Sequence, residues 1–268
     1  MSDRFRALHE SGCFVIPNPW DTGSARYLAG LGFEALATTS SGFAFSRGLP
    51  DGDVPLGEMI VHVREIVEAT DLPVNADFLN AFADDPDEVT ANVRGCVGTG
   101  VAGLSVEDMR SDRSLYDFGH ALDRVRAARA AIDGIDPGVM LTARCEAFVV
   151  GHADPLGEAC RRLEAFADVG ADVLFAPGAR DAEAIRAIVS AVAPKPVNVI
   201  ATPSSSVEEL EALGVRRISL ASGLSRAAWG GFLRAARELA EGGTFAGLEN
   251  AEPGGDLNQF FREERWRT

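Results

Sequence analysis

Eight short apolar runs, each followed by a stretch with helical patterning, constrain this chain more than any other feature. The runs span 13–16, 35–39, 73–76, 102–106, 139–143, 173–176, 197–201 and 217–220. Helical patterning covers 22–31, 56–69, 87–98, 119–133, 155–169, 181–192, 206–213 and 225–241. A strand apolar at successive positions buries both faces, the condition of a parallel sheet sheathed in helices. Strict alternation joins parallel strands by crossovers, and eight units predict an α/β chain closed into a (β/α)8 TIM barrel rather than an open sheet. Such barrels take roughly 250 residues, and the chain has 268.

Local punctuation agrees with these boundaries. Asp85-Pro86 and Asp154-Pro155 each place an N-cap acid before a proline suited to the first helical position. Ser205-Ser206-Val207-Glu208 reads as a capping box. Gly32, Gly100, Gly170 and Gly214 close helices shortly before the next strand. No linker divides the chain before Glu241, so residues 1–241 are expected to form one barrel domain. Residues 242–268 are expected to leave it and pack on a neighbouring subunit. The apolar Phe245, Leu248, Leu257, Phe260 and Phe261 of that polar tail need burial.

A formal net charge of −15 argues against nucleic acid or an anionic membrane as partner. Lys195, between two prolines, is the only lysine, so Schiff-base chemistry is excluded unless it acts there. Cys13, Cys96, Cys145 and Cys160 lack CxxC or zinc spacing and read as reduced thiols. The charged opening Met1-Ser-Asp-Arg-Phe-Arg lacks the apolar core of a secretory signal. Uncharged runs fall well short of the ~20 residues needed to span a bilayer. A cytoplasmic protein with a small-molecule substrate is expected.

Chemistry concentrates where the third, fourth and fifth strands end: Asn75-Ala76-Asp77, Val106-Glu107-Asp108 and Ala143-Arg144-Cys145-Glu146. In a barrel those ends lie side by side on the catalytic face. Asn75, Asp77 and Glu107 are oxygen donors of the kind Mg2+ accepts, commonly through water. The plainer alternative makes Asp77 and Glu107 caps of the following helices. Arg144 is planar and bidentate, suited to grip a substrate carboxylate; otherwise it pairs with Glu146, Glu107 or Asp108. Thr38-Thr39-Ser40-Ser41-Gly42 reads as a hydroxyl-rich turn whose amides could cradle a carboxylate, or merely as a small-residue turn. Asp51 follows in the same loop, after Pro50. His152 falls in a loop, whereas His9, His62 and His120 are assigned to helices as surface or packing groups; Cys145 reads as a buried structural thiol. The dinucleotide fingerprint, the Walker loop and the serine elbow are all missing from the sequence.

At these residues the chain resembles the isocitrate lyase/phosphoenolpyruvate mutase superfamily. The matching phrases are Asn18-Pro-Trp-Asp-Thr-Gly-Ser-Ala-Arg26, Thr38-Thr-Ser-Ser-Gly42, Gly48-Leu-Pro-Asp51, Asn75-Ala-Asp77, Val106-Glu-Asp108, Ala143-Arg-Cys-Glu-Ala-Phe148 and Ser222-Gly-Leu-Ser-Arg226. The resemblance implies a β/α barrel, usually a homotetramer with its last helix exchanged between subunits, and Mg2+ (or Mn2+) with 2-oxo or 2-hydroxy acids. By that likeness Thr39, Ser40 and Ser41 bind the substrate carboxylate, with Trp20, Glu146 and Thr202 also in contact. Asp51 and Arg144 act at the reacting centre, and Asp77 and Glu107, with Asn75, hold the metal. Four positions depart from the pattern. Asn75 replaces the acid that ligates the metal directly. Asn80-Ala81-Phe82 stands for Gly-Tyr-Gly. The loop 109–115 lacks both the lyases' cysteine and the mutases' lysine and asparagine, and Pro177 takes the place of Glu or His. A Mg2+-dependent carbon–carbon lyase or decarboxylase is the first expectation. Phosphonopyruvate hydrolase or phosphoenolpyruvate mutase chemistry is the second, and an oxyacid-binding barrel without turnover the third.

Overall fold

A computed structural model describes residues 1–264 and 266. Strands β1 (Phe14–Ile16), β2 (Leu36–Ala37), β3 (Val74–Asp77), β4 (Gly103–Glu107), β5 (Met140–Arg144), β6 (Val173–Phe175), β7 (Val197–Ile200) and β8 (Arg217–Ser219) carry the eight apolar runs. Helices α1 (Ser2–Ala7), α2 (Thr22–Gly30), α3 (Ser40–Ser46), α4 (Leu56–Glu68), α5 (Pro86–Val97), α6 (Phe118–Asp133), α7 (Pro155–Asp168), α8 (Ala182–Val192), α9 (Val207–Ala212), α10 (Gly223–Gly242) and α11 (Gly254–Arg262) accompany them. All strands run parallel in the order β1-β8-β7-β6-β5-β4-β3-β2.

The remaining gap lies between β1 and β2. There Ala37 N donates to Pro17 O at 3.0 Å, a single bond in place of a ladder. The Asn18 side chain reinforces it, giving its amide to Thr38 O at 3.0 Å and accepting from Leu220 N at 2.8 Å. One buried amide thus joins the carboxyl ends of β8, β1 and β2. The ring of eight is a nearly closed barrel.

Helix boundaries follow the expected caps. Asp85 accepts from Asp87 N and Glu88 N ahead of Pro86, and Asp154 accepts from Gly157 N. The box at α9 is one residue later than read from the sequence: Ser206 pairs with Glu209, not Ser205 with Glu208. Ser205 instead bonds back to Thr202, which leaves Ser206 as the residue at the helix entrance. All four helix-closing glycines have positive φ. At Gly170 (φ +106°) a Cβ would also lie 2.9 Å from Arg129 Cγ, so conformation and space both require glycine.

The lower end of the barrel is plugged by α1, whose Phe5 packs with Phe14, Ile16, Ala35, Met140 and Val173. Gly103 permits this close approach: a Cβ there would stand 2.8 Å from both Phe5 Cε1 and Asn75 Oδ1. His9, expected on a helix, lies just past α1 and is buried edge-on between Phe5 and Phe14. The larger core fills the space between the strands and α4 to α8.

The last helix of the barrel cycle behaves differently. Along its 20 residues α10 buries only Ser225 and leaves Phe232 59% exposed; Phe245 just beyond it is 66% exposed. Helix α11 returns to this chain's own α2, where Phe260 packs beside Tyr27 and joins Leu28, Leu36 and Ile66. Part of the apolar tail therefore finds burial on its own barrel, and part, Phe245 and Leu248, does not. Among the described residues no helix is long and apolar enough to cross a membrane.

Candidate functional site

The carboxyl ends of β2 to β5 meet around Arg144, the last residue of β5. Its Nη1 lies 2.8 Å from Asp77 Oδ1, its Nη2 3.0 Å from Glu107 Oε2, and its Nε 2.8 Å from Glu146 Oε1. Asp77 ends β3 and Glu107 ends β4, so one planar cation spans three strand ends. Neither carboxylate caps the helix that follows it; Asp85 does so for α5. Asp108 is not an Arg144 partner either. It accepts from Glu146 N at 2.8 Å and pairs with Arg162 at 3.1 Å, which fixes the segment carrying Glu146.

The hydroxyl-rich segment after β2 is not a turn but the start of α3. Thr39 is its N-cap, with Oγ1 accepting from Gly42 N at 3.2 Å. Thr, Ser and Gly suit a helix entrance because their side chains or lack of one leave the first amides accessible. Ser40 N donates to Asp77 Oδ2 at 2.9 Å and Ser40 Oγ to Asp51 Oδ1 at 3.1 Å. Asp51 is thereby held over the same mouth as Asp77 and Arg144.

Two adjoining cavities open here and share Ser40, Asp51 and Arg144 in their walls. The inner one, about 160 Å³, descends between Thr39, Ser41, Asn75, Asp77, Asn198 and Arg217. The outer one, about 350 Å³, is bounded by Asn80, Glu107, Arg110, Arg113, Glu146 and Pro177. Thr39, Ser40, Ser41, Asp51, Asn75, Asp77, Glu107, Arg144 and Glu146 are thus gathered as the strand-end reading requires. Trp20 and Thr202 line neither of these two cavities. The Trp20 Cβ would stand 3.1 Å from a Cβ on Gly42 in the first turn of α3. Thr202 lines a third cavity of about 680 Å³ with Arg180, Ser222 and Arg226, which shares Ile200 and Ala221 with the inner one. His152 is exposed, its ring bonding to the backbone of Asp154, and Cys145 is buried in the core.

The loop that begins beyond Asp77 holds unusual backbone. Leu79, Ala81 and Phe82 all have φ between +48° and +59°, at a cost of roughly 1–2 kcal/mol each for residues bearing a Cβ. Arg124 restrains it by donating to the carbonyls of Asn80, Ala83 and Asp84, and Leu79 O accepts from Glu107 N at 2.9 Å. Strain retained beside a cavity is what functional loops show.

The electrostatics follow from counting. One guanidinium faces Asp77, Glu107 and Glu146, with Asp51 close by. Burial disfavours the Arg144 charge, yet Glu146, Glu107 and Asp77 together outweigh it and hold it above its ordinary value. The carboxylates share a single cation and their burial is only partly offset. Burial pushes Glu107 up to about 8 against the pull of Arg144. Asp51 is raised by burial and then by Asp77; Glu146 is also raised, chiefly by burial.

Does this set suit a divalent cation? Among the described residues no three His, Cys, Asp or Glu side chains are grouped so as to hold a metal ion between them. Asn75, however, lines the inner cavity, and its Oδ1 is a sealed acceptor beside Gly103 with no partner among the described residues. Asp77 and Glu107 above it present carboxylate oxygens beside Arg144, and oxygens of this kind are what a hydrated cation such as Mg2+ accepts, largely through water.

Several lining residues escaped the strand-end reading. Asn198 and Arg217 line the inner cavity from below, and Thr142 bonds to Arg217 there. Their signal was polarity at an inward position inside an otherwise apolar strand, where a doubly buried strand should have none.

Comparison with known proteins gives a consistent picture. The family model described as phosphoenolpyruvate phosphomutase matches residues 5–240. A Burkholderia cenocepacia J2315 protein, whose name leaves lyase and mutase both open, superposes with a TM-score of 0.93 at 45% identity, over 97% of this chain and 96% of that one. The 2,3-dimethylmalate lyase of Eubacterium barkeri is 31% identical over 215 residues, 75% of this chain and 72% of the lyase. The structure of oxaloacetate acetylhydrolase in complex with the product oxalate aligns at 27% identity with a TM-score of 0.86, covering 97% and 93% of the two chains.

Protonation of Glu107 has a measurable consequence. Its carboxyl sits near 8 when folded against an ordinary 4.5. Between those values the folded protein keeps a proton that the unfolded chain has shed, so stability falls as pH rises through that window. Melting scans from pH 5 to 9 should show this decline, and Glu107→Gln should remove more than about half of it. An unchanged slope in the variant would show that Glu107 does not hold the proton.

Proposed function

This chain belongs to the phosphoenolpyruvate mutase/isocitrate lyase superfamily, and on that footing we propose that it cleaves a carbon–carbon bond in a small 2-oxo or 2-hydroxy di- or tricarboxylic acid through an enolate-like intermediate. The observation that carries this reading is Arg144, a buried guanidinium at the mouth beside Asp51, a carboxyl set to exchange a proton. For a 2-hydroxy diacid, Asp51 takes the proton of the 2-hydroxyl. The bond between the second and third carbons breaks, the second carbon becomes a carbonyl, and the electron pair is left on the third as the enolate of its carboxylate. Asp51 then returns the proton to that carbon, so the step balances without a co-reactant. Arg144 stabilises the oxyanion that forms, in a site where solvent competes weakly.

The names of the relatives support the same substrate class: a dimethylmalate lyase and an oxaloacetate hydrolase with oxalate bound. Mg2+, or Mn2+ in its place, would be held through water by Asn75, Asp77 and Glu107 and would supply a Lewis acid toward the oxyacid. Phosphonate chemistry is the second reading, supported by the description of the family model. It ranks lower because the hairpin joined at Met109 and Leu115 brings Arg110 and Arg113, not a lysine, to the outer cavity. We further infer a homotetramer, because the apolar face of α10 and the adjacent Phe245 and Leu248 lack cover within one chain. Sedimentation as a monomer at micromolar concentration would refute it.

The activity is tested with a panel of 2-oxo and 2-hydroxy acids assayed for pyruvate, glyoxylate, oxalate or CO2, with phosphonopyruvate assayed for phosphate. On whichever substrate turns over, Arg144→Lys keeps the charge but loses the planar fork, and turnover should fall by about 10²–10³. If turnover per folded molecule is unchanged while the melting temperature drops, Arg144 is a strut and the assignment fails.

Metal binding has its own test. Asn75→Asp adds a carboxylate to the cavity wall, so Mg2+ affinity in the free protein should rise by about tenfold or more in calorimetry. Equal affinity in the two proteins would displace the metal from Asn75.

A further inference from the structure

Beneath the mouth lies a charge that no described residue balances. Arg217 enters the lumen from β8 and crosses it: Nε donates to Asn198 Oδ1 at 2.8 Å and Nη2 to Thr142 Oγ1 of β5 at 3.0 Å. The residue is 3% exposed, and among the described residues it makes no salt bridge. Its Nη1, itself buried, has no hydrogen-bond partner among the described residues, although the residue lines the inner cavity. Apolar and neutral groups such as Ile16, Asn75, Ser105, Phe175 and Ser219 share that cavity with it, and the charged groups that line it are Asp51, Asp77 and Arg144. From below comes His9, which burial and then Arg217 itself hold near 3, uncharged at neutral pH. The mouth carboxylates do not serve as partners. Asp77 and Glu107 are taken by Arg144, and Asp51 by Ser40.

Burial lowers Arg217 to about 9, still above neutrality, so the guanidinium remains charged. A buried cation left unpaired is costly unless an anion completes it. Ser219 adds a second donor, since its oxygen already accepts from Asn198 Nδ2 at 3.0 Å and its proton is free to point elsewhere. Thr142 and Arg144 are two residues apart on β5, so Arg217, through Thr142, and Arg144 are anchored to that strand roughly 7 Å apart along its length. A short anionic ligand entering between them meets a guanidinium at either end.

We propose that the floor of the inner cavity is an anion subsite, in which Arg217 Nη1 and the Ser219 hydroxyl receive a small anionic oxygen group. Its occupant is the inward carboxylate of a compact diacid. This deepens the proposed function and rests on it, because the outward end of the diacid is held by Arg144 and α3. A free monoanion shares the same chemistry, and the experiment separates the two sources.

Oxalate and malonate are titrated calorimetrically into the wild-type protein, Arg217→Met and Arg217→Lys, and wild-type crystals are soaked in bromide for anomalous scattering. Diacid affinity should fall about tenfold or more in Arg217→Met and recover in part in Arg217→Lys. An unaffected diacid with a bromide peak beside Nη1 assigns the subsite to a free monoanion. If neither the diacids nor bromide respond to Arg217, the proposal is overturned and the residue is a water-solvated strut between β8 and β5. Failure of the wild type to bind any diacid would sink the oxyacid reading of the mouth, and the bromide map would still decide the floor. Removing an unpaired buried charge should leave Arg217→Met folded. Should it fail to fold, bromide raising the wild-type melting temperature at constant ionic strength, relative to a sulfate control, supports the subsite, and no rise counts against it.

Discussion

Closure of the barrel across β1 and β2 is the constraint on which the rest depends. Among the described residues one backbone bond and one side chain achieve it: Ala37 N to Pro17 O, with Asn18 reaching to Thr38 O and Leu220 N. If the seam opened, β1 and β2 would become edges, and α3, which follows directly from β2, would lose its place over the lumen. Asp51 is held by α3 through Ser40, and Asp77 accepts from the first amide of that helix. The geometry of the mouth is therefore inherited from a seam on its far side.

Within the closed ring the lumen is stratified by charge. At the bottom Phe5, Phe14 and Met140 exclude water. Above them comes a lone cation, Arg217, among neutral amides and hydroxyls. Above that is a cation, Arg144, surrounded by more carboxylates than it can neutralise. Each layer would be unfavourable alone, since burial penalises unpaired charge of either sign. On the proposed function, a small oxyacid with a cation beside the carboxylates would relieve both layers at once. The fold keeps electrostatic cost at the mouth, and the strained backbone from Leu79 to Phe82 adds to it.

The departures from the superfamily pattern acquire physical content here. Asn75 supplies a neutral, unpartnered oxygen above a cationic floor, where a carboxylate would have supplied a counter-charge. Asn80-Ala81-Phe82 keeps left-handed backbone without glycine, and the buried Arg124 beneath it provides the hydrogen bonds that hold it. Pro177 borders the outer cavity and offers no proton or charge. These differences alter what the mouth can do without altering the scaffold, as expected when function resides at strand ends and loops.

The barrel was legible because its signals are local. Apolar runs, the caps at Asp85 and Asp154, and glycines such as Gly170 act within a few residues of themselves, so reading along the chain recovered all eight strands within one or two residues. The mouth was legible for a related reason: Asp77, Glu107 and Arg144 each end a strand, and parallel order then brings them together. Sequence alone did not decide matters that depend on what lies across the lumen or behind a helix. The hydroxyl segment 38–42 looks like a turn until the seam and Asp77 make it a helix entrance. Trp20 and Thr202 follow strands as the site residues do, yet Trp20 abuts Gly42 of α3 and Thr202 lines a third cavity that meets the inner one at Ile200 and Ala221. Arg217 reads as one more arginine in an arginine-rich chain. Only the closed barrel turns it inward, seals it from solvent and leaves it without a counter-charge, because burial and pairing are properties of the space between strands and not of any one of them.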